Sequence, residues 1–128
     1  MNDRTHLYTD SKWEPIVGYS RALRIGNRVL VSGTTASAPE GVVGGNDVAA
    51  QTTEILRRID EVLQRAGASL DHVITTRIYV TDIRRWEEVG QAHGAVFGDI
   101  RPTTTMVEVS GLVDPALLVE IEAEAQIP

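Results

Sequence analysis

Cysteine is absent from this 128-residue chain, which excludes a disulfide framework, a thiolate metal site and a cysteine nucleophile. That composition fits a reducing compartment. Aromatics are scarce, at 5% of residues with a single Phe, so no aromatic surface for base stacking is expected. No apolar run approaches the roughly 18 residues of a membrane span. The polar start Met1-Asn-Asp-Arg-Thr-His6 leads into no signal-peptide core, and a cytoplasmic location is expected. Positive charge is also short: 12 Lys and Arg against 18 Asp and Glu leave −6, which argues against a nucleic-acid partner. The local basic pairs Arg57-Arg58 and Arg84-Arg85 fall on expected helices among acidic neighbours and read as solvated faces. Phosphate-loop, dinucleotide, HExxH and GxSxG motifs are missing. His6, His72 and His93 lack ligand spacing, so no metal site is expected; His6 and His72 read as solvated.

What is present reads as one domain over residues 1–128, long enough for a core of its own. Residues 1–15 form an extended N-terminal segment in this reading, with little periodicity until about Gly18. Tyr19 to Ile25 and Arg28 to Ser32 are strand-like, joined by the hairpin dipeptide Gly26-Asn27. Ser32-Gly33 breaks the second strand, and Thr34 to Gly45 is a glycine-rich loop. Asn46 or Asp47 caps a helix to about Ala66, stopped by Gly67, with Val48, Ile55, Ile59, Val62, Leu63 and Ala66 as its apolar stripe. Asp71 to Val80 is a β-branched central strand. Asp82 caps a second helix ending near Gly98, with Ile83, Trp86, Val89, Val96 and Phe97 as core candidates. Two closing strands follow, from Arg101 to Val109 and from Leu117 to Ala125. In the last, Val119, Ile121 and Ala123 alternate with Glu120, Glu122 and Glu124.

The order is ββαβαββ, an α+β arrangement with a mixed sheet and both helices on one face. Two helices cannot cover both faces of such a sheet, yet Val29-Leu30-Val31 and Ile78-Tyr79-Val80 present apolar residues to both. Another copy of the chain is the simplest cover, so a homo-oligomer is expected.

On the second helix His93 shares a stripe with Trp86, Gly90 and Phe97. The spacing suits a histidine satisfied at the edge of the core, the favoured reading, or one lining a pocket. Gly90 in mid-helix costs about 1 kcal/mol relative to alanine, which points to a need for space, for helix packing or for a ligand.

Gly18-Tyr19, Gly26-Asn27 with the strand into Ser32-Gly33, Asp47-Val-Ala-Ala-Gln51, Ile78-Tyr-Val-Thr-Asp82, Arg101-Pro102, Met106-Val-Glu-Val109 and Val119-Glu-Ile-Glu-Ala123 recur in a fixed order. Together they resemble the RidA/YjgF family, also labelled endoribonuclease L-PSP, over about residues 16 to 126. The resemblance implies a chorismate-mutase-like fold, a barrel-like homotrimer with clefts between subunits, and no cofactor. It also implies hydrolysis of reactive enamines and imines, such as 2-aminoacrylate, to a keto acid and ammonia.

Carried over by position, Tyr19 would wall the cleft, and Ser32 with Gly33 would hold a ligand oxygen. Glu120 would be the catalytic group, orienting or deprotonating water. Thr104 stands where deaminating members have a carboxylate-binding arginine, Gly90 where they have an asparagine, and Met106 where they have a cysteine. A threonine supplies one neutral hydrogen bond and neither charge nor fork, which argues against the usual 2-aminoacrylate deamination. Arg21, Arg77 and Arg101 stay open as substitutes; Arg101, at odd spacing about 10 Å from Thr104 on the same strand, is the poorest of them. The expected function is hydrolysis of a small C=N compound less dependent on a carboxylate anchor. The alternatives are a non-catalytic small-molecule binder or interaction protein of the same fold and, behind both, an endoribonuclease.

Overall fold

The computed structural model describes residues 3–128. Chain order gives strands β1 (Arg4–Leu7), β2 (Ala22–Ile25), β3 (Arg28–Thr34), β4 (Ser37–Ala38), β5 (Gly41–Val42), β6 (Val73–Val80), β7 (Thr103–Glu108) and β8 (Val119–Gln126). The helices are α1 (Trp13–Val17), α2 (Val48–Arg65) and α3 (Trp86–Phe97). Six strands make one mixed sheet in the order β1-β2-β3-β8-β6-β7, while β4 and β5 form a small separate hairpin. β8 is antiparallel to both β3 and β6, so those two run parallel on either side of it with α2 as the crossover. β6 and β7 pair in parallel, and α3 connects them. The ββαβαββ order therefore describes β2 onward as an α+β domain with two main helices.

Period-two burial on β8 fixes which face meets the helices. Val119, Ile121, Ala123 and Ala125 are buried, and Glu120, Glu122 and Glu124 between them are half-exposed. Val29, Val31, Ile78 and Val80 join the same buried side, against Ile55, Ile59, Val62 and Leu63 of α2 and Val89 and Phe97 of α3. The opposite, open face carries more charge than the sequence pattern implies. Arg28 bonds Glu124 at 2.8 Å, and the Tyr79 hydroxyl donates to Glu122. Leu30 and Tyr79 contribute apolar surface between these polar pairs and are only half-buried.

Local chemistry sets the ends of α2. The Asp47 carboxylate accepts from the N–H of Ala50 at 3.1 Å, and Gly67 closes the helix at φ +84°. Asp82 acts as a cap as well, though of a single 3-10 turn (Ile83–Arg85) rather than of α3 directly.

Several expectations change. The N-terminal segment is not simply extended: its first strand pairs with β2, and α1 buries Glu14 beneath Thr9. The strand expected from Tyr19 begins at Ala22, and the loop from Thr34 holds the β4–β5 hairpin. Ser69 opens a 3-10 turn (Leu70–His72) ahead of β6, and its N–H donates to His72 Nδ1, so His72 is partnered rather than simply solvated. His6 likewise bonds Ser20 Oγ at 2.8 Å. Ile83 and Trp86 are not core residues: Trp86 is 57% exposed at the start of α3, whose buried residues are Val89 and Phe97.

Candidate functional site

The eight residues singled out from the sequence fall into two groups on opposite faces of the sheet. On the open face are Tyr19, Ser32, Gly33 and Glu120. A β-bulge brings them together. Val31 pairs with Ala123 and Thr34 with Ile121, so Ser32 and Gly33 together oppose the single residue Glu122. The extra residue lets Val31 and Thr34 both turn inward and leaves Gly33 beneath Glu120. A Cβ at position 33 would overlap Glu120 Oε2, so the carboxylate rests on bare backbone.

The next polar contacts reach this carboxylate through the backbone. Arg21 Nη2 donates to the Gly33 carbonyl at 2.7 Å, and its guanidinium stands 5.4 Å from the Tyr19 ring centroid. Arg21 Nε is buried without a hydrogen-bond partner. Burial pushes the Glu120 carboxyl above the usual glutamate range; the Arg21 charge opposes that shift and the Glu122 charge adds to it. Ser32 is less free than expected: its hydroxyl donates to the Ser20 carbonyl at 2.7 Å, and its N–H donates to the Arg21 carbonyl at 3.0 Å. Its oxygen keeps acceptor capacity.

Glu122 and Glu124 are held by sheet partners, Glu122 by Tyr79 and Glu124 by Arg28 and Arg77. Arg77 is thereby engaged, with 3.7 Å to Glu124. A hollow of about 170 Å³ lies farther along this face between Leu30, Ser32, Arg77, Glu122 and Glu124, and Glu120 does not line it.

The second group, Gly90, His93, Thr104 and Met106, lies on the helix side at the β7 edge. Thr104 pairs in register with Thr76, and their hydroxyls are 2.8 Å apart. The Thr76 hydroxyl also meets His93 Nε2 at 2.9 Å. His93 packs on Phe97 with ring centroids 4.7 Å apart, and burial holds its pKa below the usual histidine value. Beside it runs a groove of about 330 Å³ lined by His93, Gly94, Phe97, Gly98, Arg101 and Pro102. Arg101 adopts φ +56°, so the one non-glycine residue in the left-handed region among the described residues stands on this groove. Met106 pairs with Ile78 and packs against the core. A Cβ on Gly90 would meet only Trp86 Cε3, at 3.9 Å, so nothing within the chain requires glycine there.

Sequence reading gave no role to Thr76 or to the side chain of Gln51, and left Arg21 as one open arginine among three. Arg21 lies two residues beyond Tyr19, and that spacing was the available signal for it. Gln51 is fully buried and clamps three backbone groups, the carbonyls of Gly45 and Ala116 and the N–H of Leu118, just ahead of Glu120. Among the described residues there is no cluster of His, Asp or Glu able to hold a metal, and no helix long and apolar enough to cross a membrane.

The family described as Endoribonuclease L-PSP matches residues 9–127. An uncharacterised protein of Streptomyces coelicolor is 36% identical over 93% of this chain and 89% of its own length. A protein of Acinetobacter baylyi named 3-aminoacrylate deaminase RutC is 34% identical over 88% of this chain and 90% of its own. Among solved structures, a Mycobacterium tuberculosis member of the YjgF/YER057c/UK114 family superposes with a TM-score of 0.89 at 56% identity, covering 97% of this chain and 99% of that one. A match across nearly the whole chain, in sequence and in fold, makes this protein a member of the endoribonuclease L-PSP family, also written RidA/YjgF.

Proposed function

We propose that the protein is a cofactor-independent hydrolase of a reactive imine, enamine or related small C=N compound, acting in a cleft between copies of the chain in a homotrimer. The observation that carries this reading is Glu120, a half-buried carboxylate resting on Gly33 beside Arg21, with its pKa raised by burial. Water adds to the carbon of C=N while the Glu120 carboxylate takes its proton. The same proton then passes to nitrogen, giving a carbinolamine. The carboxylate next takes the carbinolamine's hydroxyl proton and delivers it to the nitrogen as the C–N bond breaks, so that a carbonyl compound and ammonia leave. An enamine first takes a proton on its β-carbon and loses one from nitrogen to give the imine. Tyr19 and Ser32 would bound the ligand on this side, and Gly90, His93, Thr104 and Met106 of a neighbouring copy on the other. Two observations support an inter-subunit site: the groups lie on opposite faces of one chain, and Trp86 with Gly90 leaves an exposed, uncrowded patch on α3. The relative named as a 3-aminoacrylate deaminase supports the reaction class.

Ammonia release from a panel of imines generated by an amino-acid oxidase tests the reading. Glu120→Gln should lower the rate at least 100-fold, and light scattering should give three times the chain mass. A wild-type rate no faster than buffer across the panel sinks it. Mixing Glu120→Gln chains with Thr104→Trp chains through an unfold–refold cycle should restore part of the activity if each site draws on two copies.

A non-catalytic binder is the second reading. Thr104 favours it: in place of a charged anchor stands a hydroxyl already bonded to Thr76. Thermal shifts on ligand addition, with no turnover, would select it.

A further inference from the structure

The hydroxyl of Thr76 carries one proton and stands between two partners, His93 Nε2 at 2.9 Å and Thr104 Oγ1 at 2.8 Å. Thr76 is fully buried, at 0% exposure, whereas Thr104 is exposed. Water therefore does not replace either contact, and the single proton can be donated to only one of them. The direction of the other bond follows. If Nε2 carries no hydrogen, Thr76 donates to it, and Thr104 must donate to Thr76; Thr104 then shows only lone pairs to the cleft. If Nε2 carries a hydrogen, it donates to Thr76, Thr76 donates to Thr104, and the Thr104 proton is released outward.

We infer that His93 is a positioning residue that sets, through the Thr76 hydroxyl, whether Thr104 offers a donor or an acceptor to the ligand. The inference rests on the cleft reading only for where the ligand lies; the relay itself is internal to one chain. A protonated His93 has hydrogen on both ring nitrogens, so it forces the outward-donating form. That form suits a ligand turning a carbonyl or carboxylate oxygen toward Thr104. The position thus becomes a conditional donor rather than a fixed cation.

His93 meets Thr76 from β6 and Phe97 from its own helix, with Thr104 of β7 one hydroxyl farther on. Arg101 shares its groove. Among the described residues no carboxylate lies within ion-pair distance of the ring. Burial lowers the pKa of His93. At neutral pH the tautomer therefore governs the relay, and acidification drives it to the donor form.

The experiment reads the ring nitrogens of His93 by long-range 15N–1H correlation in the full-length protein, with pyruvate as the binding probe between pH 5 and 8. Thr104→Val leaves the Thr76 proton no acceptor but Nε2, so the neutral ring should shift toward the Nδ1–H tautomer. Pyruvate should bind roughly fivefold more tightly once His93 is protonated, the scale of one neutral hydrogen bond. Thr76→Val should flatten that dependence while His93 still titrates, and His93→Gln should flatten it while keeping a partner for Thr76. Unchanged 15N shifts in Thr104→Val, or a pH dependence that survives Thr76→Val, overturns the relay. A tautomer shift as expected with no pyruvate bound in any variant upholds the relay and counts against the cleft reading alone.

Discussion

The carboxylate of Glu120 lies over Gly33, in space that any side chain at position 33 would need. Gly33→Ala must therefore displace the carboxylate or the backbone beneath it. The obstacle is the far end of a flexible, half-exposed side chain, which swings aside at little cost in stability, but a misplacement near 1 Å costs about 100-fold in rate. The expected variant is folded, close to wild type in urea, and nearly inactive in ammonia release. Wild-type turnover in Gly33→Ala would show that the position of Glu120 over the bulge is irrelevant to the chemistry.

Glu120 also works against the stability of the fold. Its pKa is raised in the folded chain, chiefly by burial, so folding favours the protonated form. The contribution is fully present below the unfolded value of 4.5 and is lost as pH rises through the folded pKa. At neutral pH the buried charge is a cost. Glu120→Gln removes it, so Tm at pH 7 should rise by a few degrees while turnover disappears, and the gain should vanish near pH 4. A lower Tm at pH 7 would mean that the charge is compensated better than its surroundings indicate.

The sequence carried the fold where pattern and burial coincide. Alternation along Val119–Gln126 shows in strict alternating burial, and the α2 stripe is buried as its spacing requires. Trp86 misled because an apolar helical spacing says nothing about where a helix leaves the core. The site was legible only in part for a related reason. Residue types at Tyr19, Ser32, Gly33 and Glu120 are visible in one chain, but their meeting depends on the bulge between Val31 and Thr34. Thr76 sat inside a β-branched run and looked like any strand threonine, and its two hydroxyl contacts come from residues 17 and 28 positions away.

Gln51 shows how a buried polar side chain holds the site from a distance. Its amide nitrogen donates to the Gly45 carbonyl at 2.7 Å and the Ala116 carbonyl at 3.1 Å, and its oxygen accepts from the Leu118 N–H at 2.9 Å. Gln51→Leu keeps the bulk and strands three backbone groups, so a loss of about 3 kcal/mol is expected in chemical denaturation. Leu118 stands two residues before Glu120, so the rate should fall in the folded variant as well. Stability within about 0.5 kcal/mol of wild type would mean that water replaces the amide at no cost.

Gly90 separates the needs of the chain from those of the site. Alanine there meets Trp86 Cε3 at an ordinary 3.9 Å and no other atom within 4 Å outside the helix backbone. Helix propensity alone predicts a gain of up to about 1 kcal/mol for Gly90→Ala. If the space beside Trp86 receives a ligand or a neighbouring copy, the added methyl should instead weaken pyruvate binding or the assembly. The discriminating result is a variant whose unfolding midpoint rises while its binding or its mass by light scattering falls. A rise in stability with binding and mass unchanged would assign Gly90 no role in the cleft, leaving His93, Thr104 and Met106 as the contributors from this face.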